Sequence, residues 1–255
     1  MNYYFDISDV VGYAKRNGAV SGIQRVQMSV LRNLVSEREK DDVFCVYGFN
    51  KETGVKVCRA SDLFTNESYS ASQLLIKLGI EKPNAAFSKQ ELYSCIAKYK
   101  KKSITRMLQK AKFFILGKLF PDYARTKMNL PPRSEEYSHE KNRIIETWTI
   151  KEFGKHDHVV MIGTNWNTSA VENMARQHAK CGGRVSQVIY DLLPIRYPHY
   201  FVHNLHKKFS TFLNRSRSFV SQYICISEST KNDVLDYLSA FHSDLPVKSW
   251  PLAHE

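Results

Sequence analysis

Polar side chains follow three apolar segments of this sequence, at points where strands are expected to end. HVVMIG is followed by TNWN, VSQVIY by DLLPIRYPHYF, and YICI by SESTKND. Ligands of parallel α/β sheets bind outside the carboxyl ends of the strands, where such groups would hydrogen-bond a polar ligand. The candidate site residues are Asn165, Asp191, Arg196, His199, Ser227, Ser229 and Thr230.

A fourth strand end carries a loop with two glycines. After the first expected strand, YYFDI, comes KRNGAVSGIQR, which contains Gly18, Ser21, Gly22 and Arg25. Unpaired N–H groups and the helix dipole at such a loop favour an anion such as a phosphate. The loop is not G-x-G-x-x-G and the sequence has no P-loop, which disfavours a dinucleotide-binding fold and a nucleotide triphosphatase.

Each of these strand ends also has a purely structural explanation. Asn, Asp and Ser cap helices, Pro198 suits a first helical turn, and two glycines make a turn. Four polar endings along one edge of a sheet nevertheless favour a binding crevice over four unrelated caps.

The order of the elements that position these residues predicts an α/β fold. From residue 156 onward, continuous apolar strands alternate with helices, which is typical of a parallel sheet covered on both faces. We therefore expect a Rossmann-like, doubly wound, mainly parallel sheet. The expected strands span 3–7, 42–49, 55–60, 158–165, 185–192, 223–227 and 246–254, and the expected helices span 21–40, 134–153, 168–180, 199–220 and 230–240.

The composition is that of a globular protein. Of 255 residues, 43% are hydrophobic and 24% are charged. The sequence shows neither a signal peptide nor an apolar run of the roughly 20 residues that span a membrane, so we expect the chain in the cytoplasm. The five cysteines form no CxxC pair, so disulfides and a cysteine zinc site are not expected.

Most of the net charge of +12 lies in one segment. Residues 98–127, here called the basic segment, contain ten Lys or Arg residues and one acid, a net charge of +9. Ile104, Leu108, Ala111, Ile115 and Leu119 recur on one face of a predicted helix in this segment. Such a helix suits the surface of an anionic membrane, on the inner face of the cytoplasmic membrane. It would equally suit packing on its own domain, whereas no nucleic-acid recognition motif accompanies the charge.

Three histidines give the weaker alternative of a metal site. His199, His203 and His206 would share one face of a helix predicted over 199–220. No acidic residue lies one turn away within that helix and H-E-x-x-H is absent, so surface histidines are the commoner explanation and no metal is expected.

The motifs SGIQRV, YDLLPIRYPHYF, ICISESTKNDVLDYL and WPLAHE resemble those of the amino-terminal half of bacterial family 4 glycosyltransferases. The resemblance covers about 1–60 and 155–255 and leaves out the basic insertion. It implies the GT-B fold, in which two Rossmann-like domains face a cleft. It also implies retaining, metal-independent transfer from a nucleotide sugar, without a cofactor.

The resemblance assigns the amino-terminal half mainly to the acceptor, a glycan or lipid-linked glycan of a bacterial surface polysaccharide. Gly18, Ser21 and Gly22 would lie under the donor diphosphate, and Arg25 would face the cleft or cap the sheet. Asn165, His199, and Ser227 to Thr230 would line the cleft.

The resemblance also implies roles for two charged residues. Asp191 would orient the attacking hydroxyl, and Arg196 would offset the charge of the leaving group. Many relatives have a histidine where this chain has Tyr190, so no general base is assigned.

WPLAHE resembles the hinge that leads into a donor-binding second domain in these enzymes. The expectation is therefore a single amino-terminal domain over 1–255, with a helical insertion at about 61–130 and the donor-binding domain absent. The alternative is a non-catalytic acceptor-binding domain that acts with a partner chain supplying the donor site.

Overall fold

The structure of the chain is a computed structural model. It describes residues 1–17, 21–37, 42–48, 55–64, 71–80, 107–109, 111–113, 115, 127, 144–164, 169–202 and 204–250. The chain forms two compact units. The first unit comprises Met1–Val10, Ile23–Thr65 and Thr147–Glu255, and the second comprises Val11–Gly22 and Asn66–Glu146.

An eight-stranded open sheet forms the centre of the first unit. Its strands lie in the order β4-β3-β2-β1-β5-β6-β7-β8. All neighbouring pairs are parallel except β2–β3 and β3–β4, which are antiparallel. The expected α/β fold with a mainly parallel sheet is therefore confirmed. The strands span Tyr3–Asp6 (β1), Val43–Tyr47 (β2), Val55–Arg59 (β3), Trp148–Ile150 (β4), His158–Met161 (β5), Arg184–Ile189 (β6), Gln222–Cys225 (β7) and Val247–Ser249 (β8).

The strand order reverses between β1 and β5. From β1 the chain continues to β2 on one side, and it returns as β5 on the other side of β1 before running outward through β6, β7 and β8. At such a topological switch point the connections that follow two neighbouring strands diverge and leave a crevice at the carboxyl edge. The residues that follow β1 and β5 are therefore candidates for a binding site in this crevice.

Both faces of the central strand are covered. Phe5 and Ile7 point to one face of the sheet and Asp6 to the other, since successive strand residues alternate, and all three are buried. On the Asp6 face, Tyr4 packs against Phe44 and Phe153, as part of the main hydrophobic cluster. Burial on both faces is typical of a parallel strand in an α/β protein.

The helices of the structure span Ser8–Asn17, Gly22–Glu37, Ala60–Leu63, Ala71–Lys77, Ala170–Lys180, Leu193–Arg196, Leu205–Ser216 and Glu228–Ser239, with a 3₁₀ turn at Pro198–Tyr200. In the second unit, Ala71–Lys77 is joined to the chain before β4 by a bond from the Ile145 N–H to the Lys77 carbonyl of 2.9 Å. The predicted insertion at about 61–130 falls largely within this unit. Among the residues that the structure describes, no helix is long and apolar enough to cross a membrane.

The helices differ from the sequence-based expectations in three places. The helix Ser8–Asn17 was not expected; it begins directly after β1, where an Asp6 carboxylate oxygen accepts a hydrogen bond from the Ser8 N–H. The helix expected over 134–153 does not reach its predicted end, because Trp148–Ile150 pairs with β3 as β4. These three residues are aromatic or β-branched, which favours a strand.

The helix expected over 199–220 is the third difference. It begins at Leu205 and ends at Ser216, and Pro198–Tyr200 is a separate 3₁₀ turn. Phe201, directly after the turn, has extended backbone with φ −116° and ψ 159°. The chain therefore leaves the helical conformation at Phe201 and begins the helix only at Leu205.

Candidate functional site

Asp6 ends β1 at the switch point as a fully buried carboxylic acid. Its Oδ1 accepts a hydrogen bond of 2.9 Å from the Ser8 N–H, whereas its Oδ2 has no hydrogen-bond partner among the described residues. Burial raises the pKa of Asp6 to about 6; the Ser8 hydrogen bonds oppose this shift, and the charges of Asp9 and Glu172 add to it. Asp6 is thus a group that titrates close to neutral pH inside the sheet.

Asp9 connects three segments around the same crevice. Its Oδ2 accepts hydrogen bonds from the Gln24 side chain (2.6 Å), from the Gln27 side chain (3.1 Å) and from the Thr164 N–H (3.4 Å). Gln24 and Gln27 belong to the helix Gly22–Glu37 and are buried, and Thr164 lies just after β5. One carboxylate therefore fixes the helix against the loop at the switch point.

Tyr190 and Asp191 follow β6, next along the sheet edge. The Tyr190 hydroxyl donates a hydrogen bond of 2.8 Å to the Ile162 carbonyl, at the end of β5. Burial raises the Tyr190 pKa well above its usual value, and the negative charge of Asp9 raises it further. Tyr190 is consequently a neutral hydrogen-bond donor.

Asp191 lies half-buried at the mouth of a small open pocket. The pocket has an empty volume of about 330 Å³, including space open to solvent. The Asp191 Oδ1 accepts a hydrogen bond of 3.0 Å from the N–H of Leu193, the first residue of the helix Leu193–Arg196. Oδ2 makes no hydrogen bond to the residues that the structure describes. The pocket is lined by Ile23, Gly163, Thr164, Val188, Ile189, Tyr190, Asp191, Phe209 and Phe212.

The Arg196 side chain is occupied by two other carboxylates. Its Nη2 contacts Asp233 Oδ1 at 2.7 Å and Asp236 Oδ2 at 2.8 Å, both on the helix Glu228–Ser239. Arg196 thereby ties the short helix after β6 to the helix after β7. Its charge is therefore balanced within the protein by these two carboxylates.

His199 belongs to an exposed aromatic cluster with Tyr197 and Tyr200. The His199 and Tyr200 ring centroids are 4.2 Å apart, and the Tyr197 ring lies 6.5 Å from His199 and 6.3 Å from Tyr200. All three residues are exposed, Tyr200 to 79%. The aromatic cluster follows Asp191 along the chain by only a few residues.

Ser227 and Thr230 form the beginning of the helix Glu228–Ser239 after β7. The Ser227 hydroxyl accepts a hydrogen bond of 3.1 Å from the Thr230 N–H, as a helix cap does. The Thr230 hydroxyl donates a bond of 3.2 Å to the Tyr190 carbonyl, which joins this strand end to that of β6. Ser227 therefore has a structural role as the cap of this helix. Ser229, in the first turn of the helix, is exposed.

Five further candidates concern the glycine loop and the end of β5. Gly22 is the first residue of its helix and is exposed, with open space around its Cα. Ser21 precedes it, and Arg25 is exposed on the first turn. Gly18 and Asn165 lie outside the described residues, so their predicted roles stay predictions.

The expected alignment of three histidines does not exist. His199 lies in the 3₁₀ turn, whereas His206 lies in the helix Leu205–Ser216 and its Nδ1 contacts the Pro194 carbonyl at 3.1 Å. His203 lies outside the described residues. In the part of the chain that the structure describes, no three His, Cys, Asp or Glu side chains are grouped closely enough to hold a metal ion.

Sequence reasoning missed the two carboxylates at the switch point. Asp6 and Asp9 stand in YYFDISD, where the sequence pattern places the first aspartate in the strand and predicts no role for the second. The available signal was the position of Asp6 at the end of the first strand. Only the strand order shows that this end adjoins the end of β5.

No family model matches this chain, and the comparisons with curated proteins and with solved structures found no significant match either.

Proposed function

We propose that this chain is the acceptor-side part of a retaining glycosyltransferase. It would support transfer of a hexosyl group from a nucleotide sugar to a glycan or lipid-linked glycan of a bacterial surface polysaccharide. The basis is the resemblance of SGIQRV, YDLLPIRYPHYF and ICISESTKND to family 4 glycosyltransferases. The observation that supports it most is that YDLLPIRYPHYF directly follows β6 and ICISESTKND spans the carboxyl end of the neighbouring parallel strand β7.

Asp191 is the residue that we assign to the acceptor. One of its oxygens is used by the Leu193 N–H and the other makes no bond to a described residue, at the mouth of a pocket. A fixed carboxylate with one open oxygen is suited to accept a hydrogen bond from a sugar hydroxyl and to orient it for attack. Arg196 is a positioning residue in this proposal, because Asp233 and Asp236 already balance its charge.

The aromatic cluster of Tyr197, His199 and Tyr200 is suited to a sugar ring. Aromatic rings combine an apolar face with a polar edge, and a pyranose combines an apolar C–H face with hydroxyl groups. The cluster is exposed and lies within nine residues of Asp191 in sequence. We assign it to the part of the acceptor next to the attacking hydroxyl.

The donor is assigned by resemblance alone. Ser21 and Gly22 would approach the diphosphate of the nucleotide sugar, and the reaction would be metal-independent. Gly22 is sterically open to such an approach, since nothing lies within 4 Å of the position that a Cβ would take. The remaining donor contacts would come from a second domain or a partner chain.

The test is turnover of nucleotide sugars by the purified chain. UDP- and GDP-hexoses would be offered with polyprenyl-linked or core-oligosaccharide acceptors, and release of the nucleotide would be measured. Asp191→Asn should lower acceptor-dependent release at least about 100-fold, the scale of losing one aligned catalytic interaction. Asp244→Asn, at an exposed acid outside the candidate site, should leave it unchanged.

A second outcome would support the alternative function. Binding of the acceptor that weakens in Asp191→Asn, without turnover of any donor, would indicate an acceptor-binding domain that needs a partner chain. If the chain shows no turnover of any donor and binds no acceptor, the glycosyltransferase proposal is contradicted.

A further inference from the structure

The basic segment, residues 98–127, concentrates charge in one part of the second unit. Its net charge of +9 is three quarters of the total of +12, in 30 of 255 residues. Positive charge at this density attracts an anionic surface over about one Debye length, roughly 8 to 10 Å at physiological salt. Charge alone does not distinguish a lipid surface from a nucleic acid.

Apolar side chains of the same segment are exposed. Leu108 is 62% exposed, Ile115 is 56% exposed and Met107 is 70% exposed. Residues 107–109, 111–113 and 115 are helical. Leu108, Ala111 and Ile115 are spaced i, i+3 and i+7, which aligns them on one helical face. Ala111 is also exposed, so this face does not pack on its own domain in the way that a core-facing helix would.

We propose that the basic segment binds the surface of an anionic lipid bilayer. The exposed face of Leu108, Ala111 and Ile115 would enter the boundary between headgroups and acyl chains, while the lysines and arginines contact acidic headgroups. Such interfacial helices combine an apolar face with a basic polar face. Lys112, which is exposed one turn after Leu108, would contact a headgroup beside this face.

The two other occupants account for the observations less well. A nucleic acid would use the charge but leaves three exposed apolar side chains without a role, and no nucleic-acid recognition motif accompanies the charge. A second copy of the chain would cover the apolar face but would bring two segments of +9 together, which is unfavourable at ordinary salt. A bilayer with acidic lipids satisfies both the charge and the apolar face.

The experiment is co-flotation of the full chain with lipid vesicles. Vesicles with about one third phosphatidylglycerol in phosphatidylcholine would be compared with pure phosphatidylcholine, at low and high NaCl. Wild type should bind the acidic vesicles at low salt, weaken at high salt and not bind the neutral ones. The double variant Leu108→Gln/Ile115→Gln should weaken binding at least tenfold, because each of its two substitutions removes an apolar side chain from the interface. Lys112→Gln should weaken it about fivefold.

Matched controls separate this surface from general effects. Leu235→Gln changes an exposed leucine of the first unit, and Lys56→Gln changes an exposed lysine of β3; neither should alter vesicle binding. Because all substituted side chains are exposed, circular dichroism should show unchanged folding.

Two results would overturn the proposal. One is that the wild type does not float with acidic vesicles, or that the Leu108→Gln/Ile115→Gln variant floats with them as well as the wild type does. The other is tight binding of a single-stranded RNA oligonucleotide that Lys112→Gln weakens and the Leu108/Ile115 variant does not, which would assign the segment to nucleic acid. The proposal does not rest on the glycosyltransferase function, and the vesicle assay does not require turnover.

Discussion

At the scale of single residues, the buried carboxyl group of Asp6 is the feature with the clearest physical consequence. Its pKa of about 6 in the folded protein exceeds the ordinary value of 3.8, chiefly because burial disfavours the charged form. The folded protein therefore holds this proton more tightly than the unfolded chain. By linkage, the contribution of Asp6 to the free energy of unfolding is largest at low pH and falls as the pH rises from about 4 to about 6.

Asp6→Asn should remove this pH dependence. Asparagine retains an oxygen to accept the Ser8 N–H and carries no charge. Relative to the variant, wild type should lose about 2 kcal/mol of unfolding free energy between pH 4 and pH 8. Urea denaturation of both proteins at the two pH values gives this difference, and other titrating groups cancel in the comparison. An equal pH dependence in both proteins would show that Asp6 ionises normally.

At the scale of elements, the end of the helix Ala170–Lys180 is set by its glycines. The Gly182 N–H donates to the Ala179 carbonyl and the Gly183 N–H donates to the His178 carbonyl, both at 3.0 Å, and Gly182 has φ +80°. This is a Schellman motif, which requires a left-handed residue after the helix. It directs the chain into β6, whose far end carries Tyr190 and Asp191.

Gly182→Ala should lower the free energy of unfolding by about 1 kcal/mol, because an L residue is strained at this φ. No atom lies within 4 Å of the position of its Cβ, so the cost is conformational and not steric. Gly22→Ala is the matched control, with the same open space and no positive φ. It should leave stability unchanged or raise it, and on the proposed function it should weaken donor binding. A stability loss at Gly22 equal to that at Gly182 would contradict this distinction.

At the scale of the whole molecule, a buried ion pair links segments that are distant in sequence. Glu172 follows β5 on the helix Ala170–Lys180 and is 1% exposed, and Arg215 lies on the helix Leu205–Ser216. Arg215 Nη2 donates to Glu172 Oε2 at 3.1 Å, and Nε donates to Oε1. Removing one partner of such a pair leaves the other charge buried without compensation.

Arg215→Met should therefore cost about 3 kcal/mol or more of unfolding free energy. Arg196→Met breaks contacts of a side chain that is 40% exposed with two carboxylates, Asp233 (23% exposed) and Asp236 (75% exposed), and it should cost less than about 1 kcal/mol. Both variants remove one guanidinium, and the buried one should cost more although it has a single carboxylate partner. Equal losses in urea denaturation would mean that the Glu172 pair is solvated in solution.

The amino-acid sequence by itself determined the fold class. Continuous apolar runs such as VSQVIY, each followed by a helix, need a sheet covered on both faces, and the pairing of β2 with β3 was also predicted correctly. Local patterns carry this information because burial and period are local properties of a chain. The serine cap of the helix after YICI was predictable for the same reason.

Only the tertiary structure decided which strand ends are neighbours. The strand order brings β1 beside β5, and the bonds from Asp9 to Gln24, Gln27 and Thr164 follow from that order. It likewise gave Arg196 the partners Asp233 and Asp236. These contacts join residues far apart in sequence, and their free energies depend on burial and distance, which a one-dimensional pattern does not contain.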